Sequence, residues 1–209
     1  MPFLACVFFA VALTGCQALY FLTPEEHKDV KAEYGKIGSR RVAVVVWADR
    51  PTMDLYPRAR RRVCDAVVWE MKKHLPKAGF VKCEKVEDLQ ERSGIDWEAM
   101  SQSEICKHLS CDLAIRIDLM EYTTRAADTR ELRKGRLSAT VNLYQPDSEG
   151  REDAVYTTDV VATYPPTSEP SVTEKSDGDL LRAATELFAQ DVVKKFYDHQ
   201  VTLRGRDAG

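Results

Sequence analysis

The stretch Arg41–Asp49 reads RVAVVVWAD. Val42, Val44, Val45 and Val46 are β-branched and apolar on both parities of a two-residue period. A strand with one wet face alternates, whereas a strand covered on both faces reads as a continuous apolar run. The stretch therefore predicts a central strand with cover on each side. Asp49-Arg50-Pro51-Thr52 breaks it with turn residues and a proline.

Downstream, Ala59, Val63, Val67, Met71 and Leu75 recur at three- and four-residue spacing, which predicts a helix over about Tyr56–Lys77 with one buried stripe. Pro57 suits its first turn and Gly79 its stop. Phe80–Val86 reads as a second strand, and Asp88–Met100 as polar and irregular. Ser101 with Glu104 has capping-box spacing and opens a short helix to Leu109. Cys111–Tyr122 alternates cleanly: Leu113, Ile115, Ile117 and Leu119 on one face, Asp112, Arg116 and Asp118 on the other. After a charged loop, Thr124–Gly135, a second alternating strand runs through Leu137, Ala139, Val141 and Leu143. The turn cluster Pro146–Gly150 leads to a third strand, Ala154–Tyr164. A loop over Pro165–Gly178 precedes a last helix, about Asp179–His199, with Leu180, Ala184, Leu187, Phe188, Val192 and Phe196 on its buried stripe.

The order is β-α-β-α-β-β-β-α. Helical links favour parallel pairing early, and short turns favour antiparallel pairing later. The fold class expected is α/β: a single domain with a mixed five-stranded sheet and helices packed mainly on one face.

Upstream, Phe3–Leu13 is apolar and uncharged. It falls short of the roughly twenty residues that a spanning helix needs and matches a signal-peptide apolar region. It ends in Leu13-Thr14-Gly15-Cys16, which resembles the lipobox of bacterial lipoproteins. That resemblance implies a signal peptide over residues 1–15 and a mature chain beginning at Cys16, acylated on sulfur and amine with palmitate-type chains. Each buried methylene would add about 0.8 kcal/mol to the anchor. In enteric lipoproteins an Asp after the cysteine retains the chain in the inner membrane, so Gln17 favours the outer membrane. Residues 16–39 read as the lipidated terminus and a tether reaching at most about 80 Å. Residues 40–200 read as the α/β envelope domain, and 201–209 as a flexible tail.

The chain has 209 residues, with 30 basic and 33 acidic, a net charge of −3. Such a balance points away from nucleic acid. Setting Cys6 and Cys16 aside leaves Cys64, Cys83, Cys106 and Cys111, an even number in an oxidising compartment. They are candidates for disulfides, with three pairings open.

No GxSxG, P-loop or HExxH motif is present. Cys106, His108 and Cys111 are close in sequence but lack the paired half-sites of a structural zinc site. Asp112 and Asp118 share a strand face roughly 20 Å apart at about 3.3 Å per residue, too far for an acid pair. No catalytic residue, metal site or cofactor is called for. Arg58, Arg60, Arg61 and Arg62 crowd the start of a helix, where the dipole disfavours cations. They are the candidate contact for an anionic group or a partner, with Asp54 and Asp65 near enough to neutralise them instead.

This element order after a lipobox resembles the periplasmic α/β lipoprotein domains related to the N-terminal domain of the Tol-Pal β-propeller protein. Relatives include the penicillin-binding-protein activator lipoprotein and the curli secretion lipoprotein. The matching stretches are RVAVVVWAD, Cys111–Ile115 for a pattern read as ADYVI, and Val141–Tyr144 with Asp147 and Gly150 for RLYDAETG. The likeness covers about Arg41–His199. It implies a non-catalytic protein-binding or assembly module on the periplasmic side of the cell envelope, held to the membrane by lipid and partnered by another envelope protein. Alternatives are a subunit of an envelope secretion complex and a small envelope hydrolase.

Overall fold

A computed structural model of the chain describes residues 27–125, 133–146, 153–166 and 175–202. In chain order its elements are β1 (His27–Val30), β2 (Arg41–Ala48), α1 (Arg50–Leu55), α2 (Ala59–His74), β3 (Gly79–Phe80), α3 (Cys83–Ser93), a 3-10 helix (Gly94–Ala99), α4 (Gln102–Leu109), β4 (Leu113–Arg125), β5 (Arg133–Tyr144), β6 (Ala154–Tyr164), α5 (Asp177–Lys194) and β7 (His199–Thr202).

The chain divides into two compact units. Ala32–Tyr197 is the α/β unit, and residues 27–31 with 198–202 are the described part of a smaller terminal unit. In the terminal unit, β1 and β7 pair antiparallel with His27 opposite Thr202. Lys31 and Asp198 close that ribbon with a 2.8 Å ion pair. The stretches read as tether and tail thus each hold strand residues. HKDV and HQVT are too short and polar to announce a strand.

In the α/β unit the sheet order is β3-β2-β4-β5-β6. β2 pairs parallel with β3 and β4, each reached through helices. β4, β5 and β6 form an antiparallel meander, with a register shift between Leu119 and Glu121. The mixed five-stranded sheet expected from the sequence is present.

One sheet face is dry from β2 to β5. Val42, Val44, Val46, Leu113, Ile115, Ile117, Leu137, Val141 and Leu143 are buried there under Val63, Val67 and Met71 of α2 and Leu181, Ala184, Phe188 and Val192 of α5. The last turn of the expected tether joins this core through Ile37. Gly135 is required by the fit of β5 to α5: a Cβ there would lie 2.2 Å from the Leu180 carbonyl oxygen.

The opposite face is covered over β2 and the start of β4, where Ala114 is buried beside Ala43. Ala43 and Val45 pack with Val86, Leu89, Trp97, Ile105 and Leu109 from α3, the 3-10 helix and α4. Beyond it, Arg116, Asp118, Asn142 and Thr157 form a hydrogen-bonded row across β4, β5 and β6. Thr140 donates to Asp159 beside that row at 2.7 Å.

Two expectations need correction. The second strand stops at Phe80, and Cys83–Ser93 is α3 rather than strand and irregular chain. Cys83, Val86, Leu89 and Gln90 are its buried residues, a helical spacing that polar neighbours hide in the sequence. Gly94, at φ 51°, ends the helix where a side chain would be strained. The charged loop is also shorter than expected, because β4 extends to Arg125 and β5 begins at Arg133. The short helix after Ser101 forms as its capping box requires.

Candidate functional site

Where the helical cover ends, a cavity of about 230 Å³ opens between it and the bare part of the sheet. Its walls are Val45 and Trp47 of β2, Trp97, Glu98 and Met100 around the 3-10 helix, Gln102 and Ile105 of α4, and Arg116 of β4. Trp47 is there because it continues the inward parity of Ala43 and Val45 one step past the helices. Gln102 is 6% exposed, and its Oε1 has no hydrogen-bond partner among the described residues. An unmet buried acceptor is costly, by about 1–3 kcal/mol. Arg116 is held at the rim, its Nε donating to Asp118 Oδ1 at 2.7 Å. The site is an apolar and aromatic hollow with charged groups at its edge.

The lipobox, with Cys16, lies outside the described residues, as do Asp147–Gly150 of the expected turn and residues 167–174 of the expected loop before the last helix. The arginine run divides in space. Arg61 is enclosed by three carboxylates: Asp65 at 2.7 Å, Glu84 at 3.0 Å and Glu87 at 3.1 Å. Their hydrogen bonds raise its pKa, and it serves to fasten α2 to α3. Arg58 and Arg62 are exposed and Arg60 is half-buried. These three make no ion pair among the described residues.

Among the cysteines, Cys64 and Cys83 are joined, with Cα atoms 6.0 Å apart, tying α2 to the start of α3. Cys106 and Cys111 are free thiols, the first buried and the second half-buried.

Sequence reading missed two constellations. One is the tryptophan-walled hollow, whose members lie between Val45 and Arg116 and share no local pattern. The other is a cleft of about 760 Å³ lined by Arg41, Lys85, Arg92 and His108, with Asp88 the carboxylate among them. Arg41 and Lys85 also line an adjoining hollow with Lys82. Only the folded chain gathers these cations, so no charge run marks them. The exposed Trp69 lies elsewhere, on α2, with Lys73 Nζ 3.2 Å from its ring centre.

Among the described residues no helix is long and apolar enough to cross a membrane. No protein-family model matches the chain, and no curated protein sequence matches it. Solved structures with a similar arrangement include bacterial lipoproteins. Lipoprotein GNA1162 from Neisseria meningitidis is 12% identical, with a TM-score of 0.46 over 73% of this chain and 97% of that one. A minor lipoprotein from Acinetobacter baumannii is 11% identical, with a TM-score of 0.37 over 77% and 92%. The PelC dodecamer from Paraburkholderia phytofirmans is 10% identical, with a TM-score of 0.45 over 82% and 98%. Likeness at this level carries no function across.

Proposed function

We propose that this protein is a lipid-anchored lipoprotein of the cell envelope, and that its α/β unit is a non-catalytic module binding another envelope protein. The observation that supports binding is the hollow between Trp47, Trp97 and Met100, with Arg116 and Glu98 at its edge. Protein interfaces concentrate tryptophan, methionine and arginine in a desolvated centre ringed by polar groups. The hollow has that make-up, and the row of Arg116, Asp118 and Asn142 continues from it across an uncovered sheet face. The partner side chain that fits is aliphatic or aromatic, with a donor able to reach Gln102. The anchor rests on the apolar run ending in Leu13-Thr14-Gly15-Cys16.

Crosslinking in cells followed by purification from membranes tests both parts. The wild type should bring down one envelope protein in stoichiometric yield. Trp47→Ala should lose it, while Trp69→Ala, on the other side of the sheet, should keep it. Equal capture by both variants would refute the pocket reading. Cys16→Ser should move the protein to the soluble fraction. A wild-type N-terminal peptide without lipid on mass spectrometry would refute the anchor.

A further inference from the structure

The two free thiols are adjacent for a reason of backbone geometry. Helix α4 ends on Ser110, a non-glycine residue in the left-handed region at φ 51°. The Ser110 N–H donates to the Lys107 carbonyl at 3.2 Å, and the Cys111 N–H donates to the Cys106 carbonyl at 3.0 Å. These are the paired bonds of a Schellman cap, which brings the side chain just past the helix onto the one five residues earlier. That contact is normally hydrophobic. Here both members are cysteine, Cys106 buried and Cys111 half-buried.

We propose that Cys106 and Cys111 are a reversible redox pair, a dithiol that a disulfide-bearing oxidant such as oxidised glutathione closes into a second disulfide across the helix cap. Cys111 is the attacking sulfur, because it is half-exposed whereas Cys106 is buried. Donation from Cys106 also lowers the Cys111 pKa, and the same contact raises that of Cys106. The Cys111 thiolate forms a bond to one sulfur of the oxidant, and the oxidant's S–S bond breaks to release one thiol. Cys106 then loses its proton and attacks the Cys111 sulfur of the mixed disulfide, releasing the second thiol. Two electrons leave the pair, and the two cysteine protons end on the two released thiols.

The pair is suited to reversal. A disulfide stabilises more when it closes a longer loop. Cys64 and Cys83 are 19 residues apart, while Cys106 and Cys111 bracket a single cap. Exposed and weakly stabilising disulfides are the labile ones. The bracketed segment also matters. His108, Leu109 and Ser110 line the cationic cleft, and Asp112 accepts the Arg41 N–H at 2.7 Å. Closing the disulfide pins the backbone that holds His108 in the wall of the cleft it shares with Arg41.

The whole protein is equilibrated in glutathione buffers of increasing oxidised fraction, quenched in acid, alkylated and digested with trypsin. Cleavage after Lys107 separates the two cysteines, so the disulfide joins peptides Ser93–Lys107 and His108–Arg116. The expected result is loss of alkylation on both peptides together, with the joined species appearing and disappearing as the buffer is reversed. Cys106→Ser should stop at glutathione held on Cys111. Wild-type protein that keeps both thiols alkylatable at every ratio, or that retains glutathione on Cys111, overturns the proposal. So does a joined species that persists in fully reduced buffer. The wild-type titration decides the matter if the variant fails to fold.

Discussion

The two faces of the sheet differ in how they end. On one, α2 and α5 span the sheet, and the inward side chains from β2 to β5 are buried. On the other, the cover stops at the start of β4, past Ala114, and from Arg116 on β4, β5 and β6 carry a hydrogen-bonded polar row. The hollow with Trp47 and Arg116 lies on the line where cover gives way to bare sheet. A fully covered face contributes stability and leaves nothing to bind with. A face covered halfway creates a step, and a step is where a partner's side chain finds walls on more than one side. Substitutions on the first face should therefore register in folding, and those on the second in association.

The largest effect is expected at Phe188, fully buried between α5 and the dry face. Phe188→Ala should cost about 3–5 kcal/mol, read from the urea midpoint at constant slope. A cost near zero would mean that this face is not the main core. Gly135→Ala should follow at about 3 kcal/mol, because the added carbon meets the Leu180 backbone, which cannot swing aside as a side chain would. A neutral result would separate β5 from α5.

A smaller effect concerns Glu70 on α2. Burial raises its pKa, but hydrogen bonds from Lys73 and His74 outweigh that and leave it below the ordinary 4.5. Lys73 Nζ is 2.7 Å from Oε2, and His74 Nε2 is 3.1 Å from Oε1. His74 also stacks on Tyr197 with ring centres 4.1 Å apart. A carboxyl with a depressed folded pKa contributes fully above its unfolded value and loses that contribution as pH falls through the folded one. Stability should thus drop below about pH 4.5, by about 1 kcal/mol from this group. Glu70→Gln should be less stable at pH 7 and should lose less on acidification. An acid limb of unchanged depth in the variant would assign it to other carboxylates.

The dry face was legible in the sequence, and the step was not. The β-branched run of β2 and the alternation of Leu113, Ile115, Ile117 and Leu119 declare burial locally, because a strand's period of two needs only a few residues to show. The polar parity of Arg116 and Asp118 likewise announced a mixed second face. Helix α3 was misread because Val81 and Cys83 imitate alternation over the few residues before helical spacing begins. Nothing local could have told that α3 and α4 cover β2 and the start of β4 and then stop. That boundary depends on where a crossover lands, and the hollow inherits its invisibility. The arginine run is conspicuous as sequence, and Asp65 was legible as a neutralising partner for it; Glu84 and Glu87, which also pair with Arg61, come from a helix that local spacing hides.

The smallest effect should come from Val161. It lies on β6 opposite Ser138, on the uncovered face, and is 55% exposed. Its neighbours on the same strand, Val160 and Ala162, point into the dry core. Val161→Lys should change stability by no more than about 0.5 kcal/mol, the range of surface substitutions without a special role. The charge can extend into water, and lysine on an edge strand discourages strand-to-strand association. Val160→Lys, one residue away, should by contrast prevent folding or cost several kcal/mol, because an unpaired ammonium would enter the core. The adjacent pair isolates the face from every other variable: same strand, same sheet edge, same new side chain. Midpoints near the wild type for both variants would show that β6 is loosely registered. A loss at Val161 approaching that at Val160 would show that the second face is covered after all, and would remove the step on which the binding site depends.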